Sequence, residues 1–161
     1  MYSVRQWSVR HARGLNRFYV GFESLLVRLG GVLNWLGYER IERPVAAVEK
    51  AVKGLLFDCQ MCGQCVSSST GMSCPMNCPK TLRNGPCGGV RADGHCEVKP
   101  EMKCVWFRAY EGAERIPGGV EAMTQVQFAV DHRIQGRSSW LRVVREKAVA
   151  DKSAAPKVAA P

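Results

Sequence analysis

The sequence predicts a mainly α-helical protein built around a loop-rich, metal-binding core. Three observations carry this fold class. All eight cysteines fall between Cys59 and Cys104. The segment before them repeats apolar residues at steps of three and four, the spacing of one helix face. Residues 57–104 show no such period and are punctuated by Gly, Pro, Ser and Asn.

The first unit, residues 1–56, reads as an N-terminal helical arm for docking a partner. Leu15, Phe18, Tyr19, Phe22, Leu25, Leu26, Leu29, Leu33 and Leu36 make one apolar stripe. Gly30 and Gly31 weaken that helix, and kink or end it. Pro44 suits the first turn of a second helix, because its missing N–H is one that a first turn leaves unpaired. Val45, Val48, Val52, Leu55 and Leu56 give this second helix its apolar face. Arg5, Arg10, Arg13 and Arg17 precede the first acid, Glu23. That composition is shared by organellar transit peptides, but the stripe that follows favours a basic amphipathic docking helix.

Residues 57–110 form the cysteine-rich core. With so little apolar periodicity, such a segment relies on bound metal to hold it. Residues 111–149 are expected to carry short helices: Pro117-Gly118-Gly119 marks a turn, Val120, Met123 and Val130 allow one helix, and Ser138 caps another bearing Trp140, Leu141 and Val144. Residues 150–161 are an Ala/Lys/Pro-rich tail, expected to be disordered.

Composition excludes several classes. At 161 residues the chain is shorter than a flavin-binding (β/α)₈ barrel, which needs roughly 250. Neither G-x-G-x-x-G nor G-x-x-x-x-G-K-[ST] occurs, and no apolar run reaches the ~18 residues of a membrane span. No catalytic set such as G-x-S-x-G or H-E-x-x-H is present. The expected location is cytoplasmic, where thiols stay reduced and metal binding outranks disulfides. The formal net charge is +9, of which residues 1–56 carry +5 from nine basic and four acidic side chains. An acidic protein, an anionic surface and nucleic acid are all compatible with that balance.

The cysteines are Cys59, Cys62, Cys65, Cys74, Cys78, Cys87, Cys96 and Cys104, spaced C-x2-C-x2-C-x8-C-x3-C-P, then at x8, x8 and x7. Two successive C-x2-C steps let one tight loop supply three corners of a cubane cluster, with a fourth thiolate from elsewhere. The C-x3-C-P piece known from ferredoxin loops is present as Cys74 to Pro79, displaced from the triplet. Eight thiolates match two [4Fe–4S] clusters. One cluster plus zinc, and zinc alone, remain alternatives. Gly63, Gly85, Gly88, Gly89 and Gly94 permit close backbone approach to sulfur. Lys80 and Arg83 read first as surface charges, with hydrogen bonding to cluster sulfide or to an anionic partner as the alternative; His95 reads as an exposed loop residue, and Trp106 and Tyr110 as cover for the cluster or core.

The motifs Cys59-Gln60-Met61-Cys62-Gly63-Gln64-Cys65 and Cys74-Pro75-Met76-Asn77-Cys78-Pro79-Lys80 are followed by Leu82-Arg83-Asn84-Gly85-Pro86-Cys87-Gly88-Gly89, Gly94-His95-Cys96-Glu97-Val98 and Cys104-Val105-Trp106. Together, over roughly residues 40–110, they resemble the cysteine-rich module that accompanies bacterial methylenetetrahydrofolate reductase, as a C-terminal domain or a separate small subunit. The resemblance implies an iron–sulfur electron-transfer subunit in one-carbon metabolism, not itself catalytic. It implies the eight cysteines as metal ligands. It implies as partner a barrel subunit carrying FMN or FAD, which interconverts methylenetetrahydrofolate and methyltetrahydrofolate, together with a further electron donor. A structural zinc scaffold of the same complex and a basic zinc-knuckle nucleic-acid-binding protein are the competing expectations.

Overall fold

A computed structural model describes residues 2–154, with side chains to residue 150. Among the described residues there are seven α-helices: α1 Tyr2–Arg10, α2 Ala12–Arg28, α3 Gly30–Leu36, α4 Tyr38–Phe57, α5 Val105–Ala113, α6 Gly119–Thr124 and α7 Ser139–Ala154. Two single 3₁₀ turns lie at Pro75–Asn77 and His132–Ile134. The only extended pairings among the described residues are isolated bridges, Val90 with Cys96 and His95 with Lys103. The mainly helical architecture around a cysteine-rich loop segment is therefore the one the sequence predicts.

The first helices are part of the body of the fold. In α1, Ser8 and Val9 are buried, and the Ser8 hydroxyl donates to the Leu56 carbonyl at 2.7 Å. Ala12 packs with Met72 and Ile116, and Leu15, Tyr19 and Phe57 close around them. On α2, Phe22 meets the Trp140 ring edge-on at 4.9 Å, tying α2 to α7. Other apolar residues of α2 and α3 face outward: Phe18 is 74% exposed and Trp35 83%, with Leu25, Leu29 and Val32 also exposed, while Leu26 and Leu33 of the stripe are half-buried.

The break expected at Gly30 and Gly31 is present, and one helix start differs from the sequence reading. The long N-terminal helix breaks at Leu29, and Gly30 and Gly31 open α3. Pro44 lies inside α4 rather than in its first turn. Gly37, at φ +80°, reverses the chain and starts α4 at Tyr38. Contacts with α7 hold that early start: Arg145 stacks over the Tyr38 ring at 4.6 Å and reaches Glu42 at 3.4 Å. Tertiary contact here overrides the preference of proline for a first turn. Ser138 does cap α7, its hydroxyl accepting from Leu141 N at 3.3 Å. That helix runs past residue 149 to Ala154, and the remainder of the expected tail lies outside the described residues.

Helix α5 begins immediately after Cys104 and crosses the position where the sequence reading divided core from C-terminal segment. Its Gly112 lies against Gly71, which has φ +57°; a Cβ on Gly112 would collide with the Gly71 carbonyl oxygen. Backbone cannot step aside as a flexible side chain can. Gly112→Ala should therefore destabilise the protein by about 3 kcal/mol, lowering the thermal midpoint on the order of 10 °C. Gly21→Ala, in open space on α2, should instead hold or raise the midpoint, since alanine favours helix interiors. Thermal denaturation of the two variants side by side checks this.

Candidate metal centre: a four-cysteine pocket under helix α4

The chain leaves α4 through Asp58 in the left-handed region, φ 54°, which turns Cys59 back beneath the helix. Met61 at φ 49° and Gly63 at φ 73° keep the loop curling, so Cys59, Cys62 and Cys65 face one space. The fourth wall is Cys74, at the start of the 3₁₀ turn. Asn77 pins that turn to α4 by donating to the Phe57 carbonyl at 2.8 Å, and Gln60 donates to Asn77 Oδ1 at 3.2 Å. Cys59, Cys62, Cys65 and Cys74 thus line one small pocket, together with Glu49, Lys53, Arg83, Arg137 and Ser139.

The triplet therefore shares its pocket with Cys74, whereas Cys78, in the turn-rich half of the loop that follows, does not line it. Cys78, Cys87, Cys96 and Cys104 belong to that turn-rich half. Cys96 N donates to the Met102 carbonyl at 3.0 Å and Cys104 N to the Gly94 carbonyl at 2.9 Å. Lys80 lies within electrostatic reach of Cys87 and Cys96 and pairs with Glu97. Among the described residues, no three His, Cys, Asp or Glu side chains form a group that could hold a metal ion.

Donors surround the pocket sulfurs. Met61 N donates to Cys59 Sγ at 3.4 Å, Ser67 Oγ lies 3.4 Å from Cys65 Sγ, and Arg83 Nη1 approaches Cys62 Sγ to 4.0 Å. Cys59 and Cys74 are themselves hydrogen-bonded. That bond, aided by Met61 N and Lys53 and opposed by burial, pulls the Cys59 thiol down to about 7. Cys74, the donor, is pushed well above the ordinary thiol range, first by that bond and then by burial. Backbone N–H and guanidinium donors at sulfur suit the ligands of an iron–sulfur cluster, and Cys59, Cys62, Cys65 and Cys74 are the residues that would hold one in this pocket.

Arg83 corrects the sequence reading. It is 8% exposed rather than a surface charge. Its Nη2 donates to the Gln64 carbonyl at 2.7 Å and its Nε to the Phe128 carbonyl at 2.9 Å, bracing the cysteine loop against the segment after α6. Lys80 is half-exposed and ion-paired, as a surface charge would be. His95 is partly covered and faces Asp93 at 3.2 Å. Trp106 is buried, its indole N–H donating to the Leu82 carbonyl at 3.1 Å, whereas Tyr110 is exposed.

Two residues of the pocket wall went unremarked in the sequence. Glu49 and Lys53 are 1% and 3% exposed, and Lys53 Nζ donates to Glu49 Oε1 at 2.7 Å and to Ser139 Oγ at 2.8 Å. Glu49 also accepts from the Ser138 and Ser139 hydroxyls at 2.6 and 2.5 Å and from Ser139 N and Trp140 N at 3.3 Å. One carboxylate of α4 thus caps α7 at its positive end. Burial works against the charge on Lys53, but Cys65 and Glu49 more than offset it, and its pKa stands above the ordinary lysine value. The available signal was an i,i+4 Glu–Lys pair; it is this pair that α4 buries, while Val48, Val52 and Leu55 of the expected apolar face are exposed.

The fold and pocket define a small helical module organised by cysteines rather than by one continuous apolar core. Residues 38–133, from the first residue of α4 through the second 3₁₀ turn, match the family described as methylene-tetrahydrofolate reductase C terminal, and the chain belongs to that family. No match to a curated protein or to a solved structure was found. Family membership ties the chain to methylenetetrahydrofolate reductase, and among the described residues no helix is long and apolar enough to cross a membrane.

Proposed function

We propose that this chain is an iron–sulfur electron-transfer subunit of a methylenetetrahydrofolate reductase. In this reading Cys59, Cys62, Cys65 and Cys74 hold one [4Fe–4S] cluster and Cys78, Cys87, Cys96 and Cys104 the other. The observation that carries it is the first pocket: four thiols from two separate loop segments line one space, with backbone and guanidinium donors at their sulfurs. Bound clusters would supply one-electron chemistry at potentials set by these donors. The chain's own residues hold the thiolates, exclude bulk water through Met61 and Phe57, and brace the loop through Arg83 and Gln64. The outward stripe of Phe18, Leu25, Leu29, Val32 and Trp35 is the face offered to the flavin-carrying subunit, which brings the electron acceptor or donor.

A second reading assigns zinc to the second set. Cys96 and Cys104 are buried, and they pack with Met102, Val105, Trp106 and Ala109. Four thiolates are also the ligand set of a structural zinc ion, which suits a buried, non-redox site.

Anaerobic purification with the flavin-carrying reductase subunit, metal analysis and an absorbance scan test both. About eight irons per chain and a broad band near roughly 400 nm that bleaches on reduction are expected for two clusters. About four irons with one zinc would select the second reading. Zinc alone in a colourless chain would overturn the electron-transfer role.

A further inference from the structure

Lys53 is a buried cation against the pocket of four thiols, with two hydrogen bonds holding it in place. Its Nζ is fixed by Glu49 Oε1 at 2.7 Å and Ser139 Oγ at 2.8 Å, and it lies 5.6 Å from the Tyr19 ring centroid and 5.2 Å from that of Trp140. Two other cations line the same pocket, but they differ. Arg137 is exposed, and Arg83, itself buried, divides its guanidinium among the Gln64 and Phe128 carbonyls and a long contact to Cys62 Sγ. A charge 3% exposed is poorly screened and acts strongly on its neighbours. Glu49 offsets part of it, yet its carboxylate also takes two hydroxyls and two N–H groups of the α7 terminus, which share its negative charge. At Cys59 the pull of Lys53 exceeds the push of Glu49.

Building on the iron–sulfur reading of this pocket, we infer that Lys53 is the fixed positive charge that raises the reduction potential of the cluster held by Cys59, Cys62, Cys65 and Cys74. Reduction adds one electron to a cluster that already carries four thiolates. A buried cation beside them stabilises that added charge. Ser139 and Glu49 act as positioning residues, so the N-terminus of α7 is mechanically joined to the electron site.

The test is a spectroelectrochemical titration of the full chain, purified anaerobically as wild type, Lys53→Met and Lys53→Arg. Iron content is measured on each sample, and the Cys74→Ala protein shows which midpoint belongs to this pocket. Lys53→Met should shift the reduced-to-oxidised ratio at fixed poise about tenfold toward oxidised, about 59 mV for one electron. Lys53→Arg should restore most of the wild-type midpoint, which a purely packing role would not. Where Lys53→Met loses its iron, Glu49→Gln decides: it keeps the cation and removes its counter-charge, so the midpoint should rise. Full iron with an unmoved midpoint in Lys53→Met, or in Glu49→Gln, overturns the inference and leaves the electron-transfer reading standing. A wild-type chain without iron overturns both.

Discussion

Cys74→Ala protein, prepared anaerobically, is expected to retain about half the iron of the wild type, about four atoms rather than about eight. Cys74 is reached through the 3₁₀ turn that Asn77 and Gln60 pin to the end of α4, and it is hydrogen-bonded to Cys59 inside the pocket. Its loss leaves Cys59, Cys62 and Cys65 with three thiolates for a group that takes four. Cys78 is only four positions on, but it does not line the pocket, so it should not substitute. Cys78→Ala should therefore remove a comparable share of iron belonging to the other set. The double replacement should leave little. Equal iron in Cys74→Ala and wild type would show that the pocket is not a ligand set. Metal analysis with the absorbance spectrum reads each outcome.

Glu49→Leu is expected to be the most destabilising single change in the helical scaffold, by about 3–5 kcal/mol. It would strand the Lys53 ammonium in a site where it is 3% exposed. It would also remove the acceptor for Ser139 N, Trp140 N and both serine hydroxyls at the start of α7. The unpaired cation dominates, since a lost helix cap alone costs about 1 kcal/mol. The double variant Glu49→Leu/Lys53→Met should recover most of the loss, because neither charge then remains buried without a partner. Apparent midpoints taken at one scan rate on iron-matched samples make the comparison, as a cofactor-bearing chain does not unfold in two states. A single replacement costing no more than its double would refute the account.

Much of this was legible in the residues themselves. The apolar stripe from Leu15 to Leu36 announced its helix because periodicity is a local property of the chain. Ser138 announced its cap for the same reason, as a hydroxyl positioned before an apolar run. The cysteine run Cys59 to Cys65 announced a tight three-thiol loop, and the match to the reductase C-terminal family agrees with the motifs that follow it. Other features were not legible. Helix α1 has a basic, weakly periodic sequence, and it is held by burial of Ser8 and Val9 against distant elements. Pro44 would open a helix in isolation, but contacts from Arg145 draw the start back to Tyr38. Arg83 resembles any loop arginine until the segment carrying Phe128 folds over it.

By itself, the sequence determined that the protein is helical, that its centre is a cysteine-rich loop, and which eight side chains are candidate metal ligands. These follow from spacing along the chain, which needs no fold to be read. The tertiary structure alone decided that Cys74, and not Cys78, joins the triplet, and that Glu49 and Lys53 form a buried pair behind it. Both depend on contacts between residues far apart in sequence: a 3₁₀ turn docked on α4, and a carboxylate of α4 seated on the N-terminus of α7. Linear spacing carries no record of such meetings, because they are made only when the helices pack.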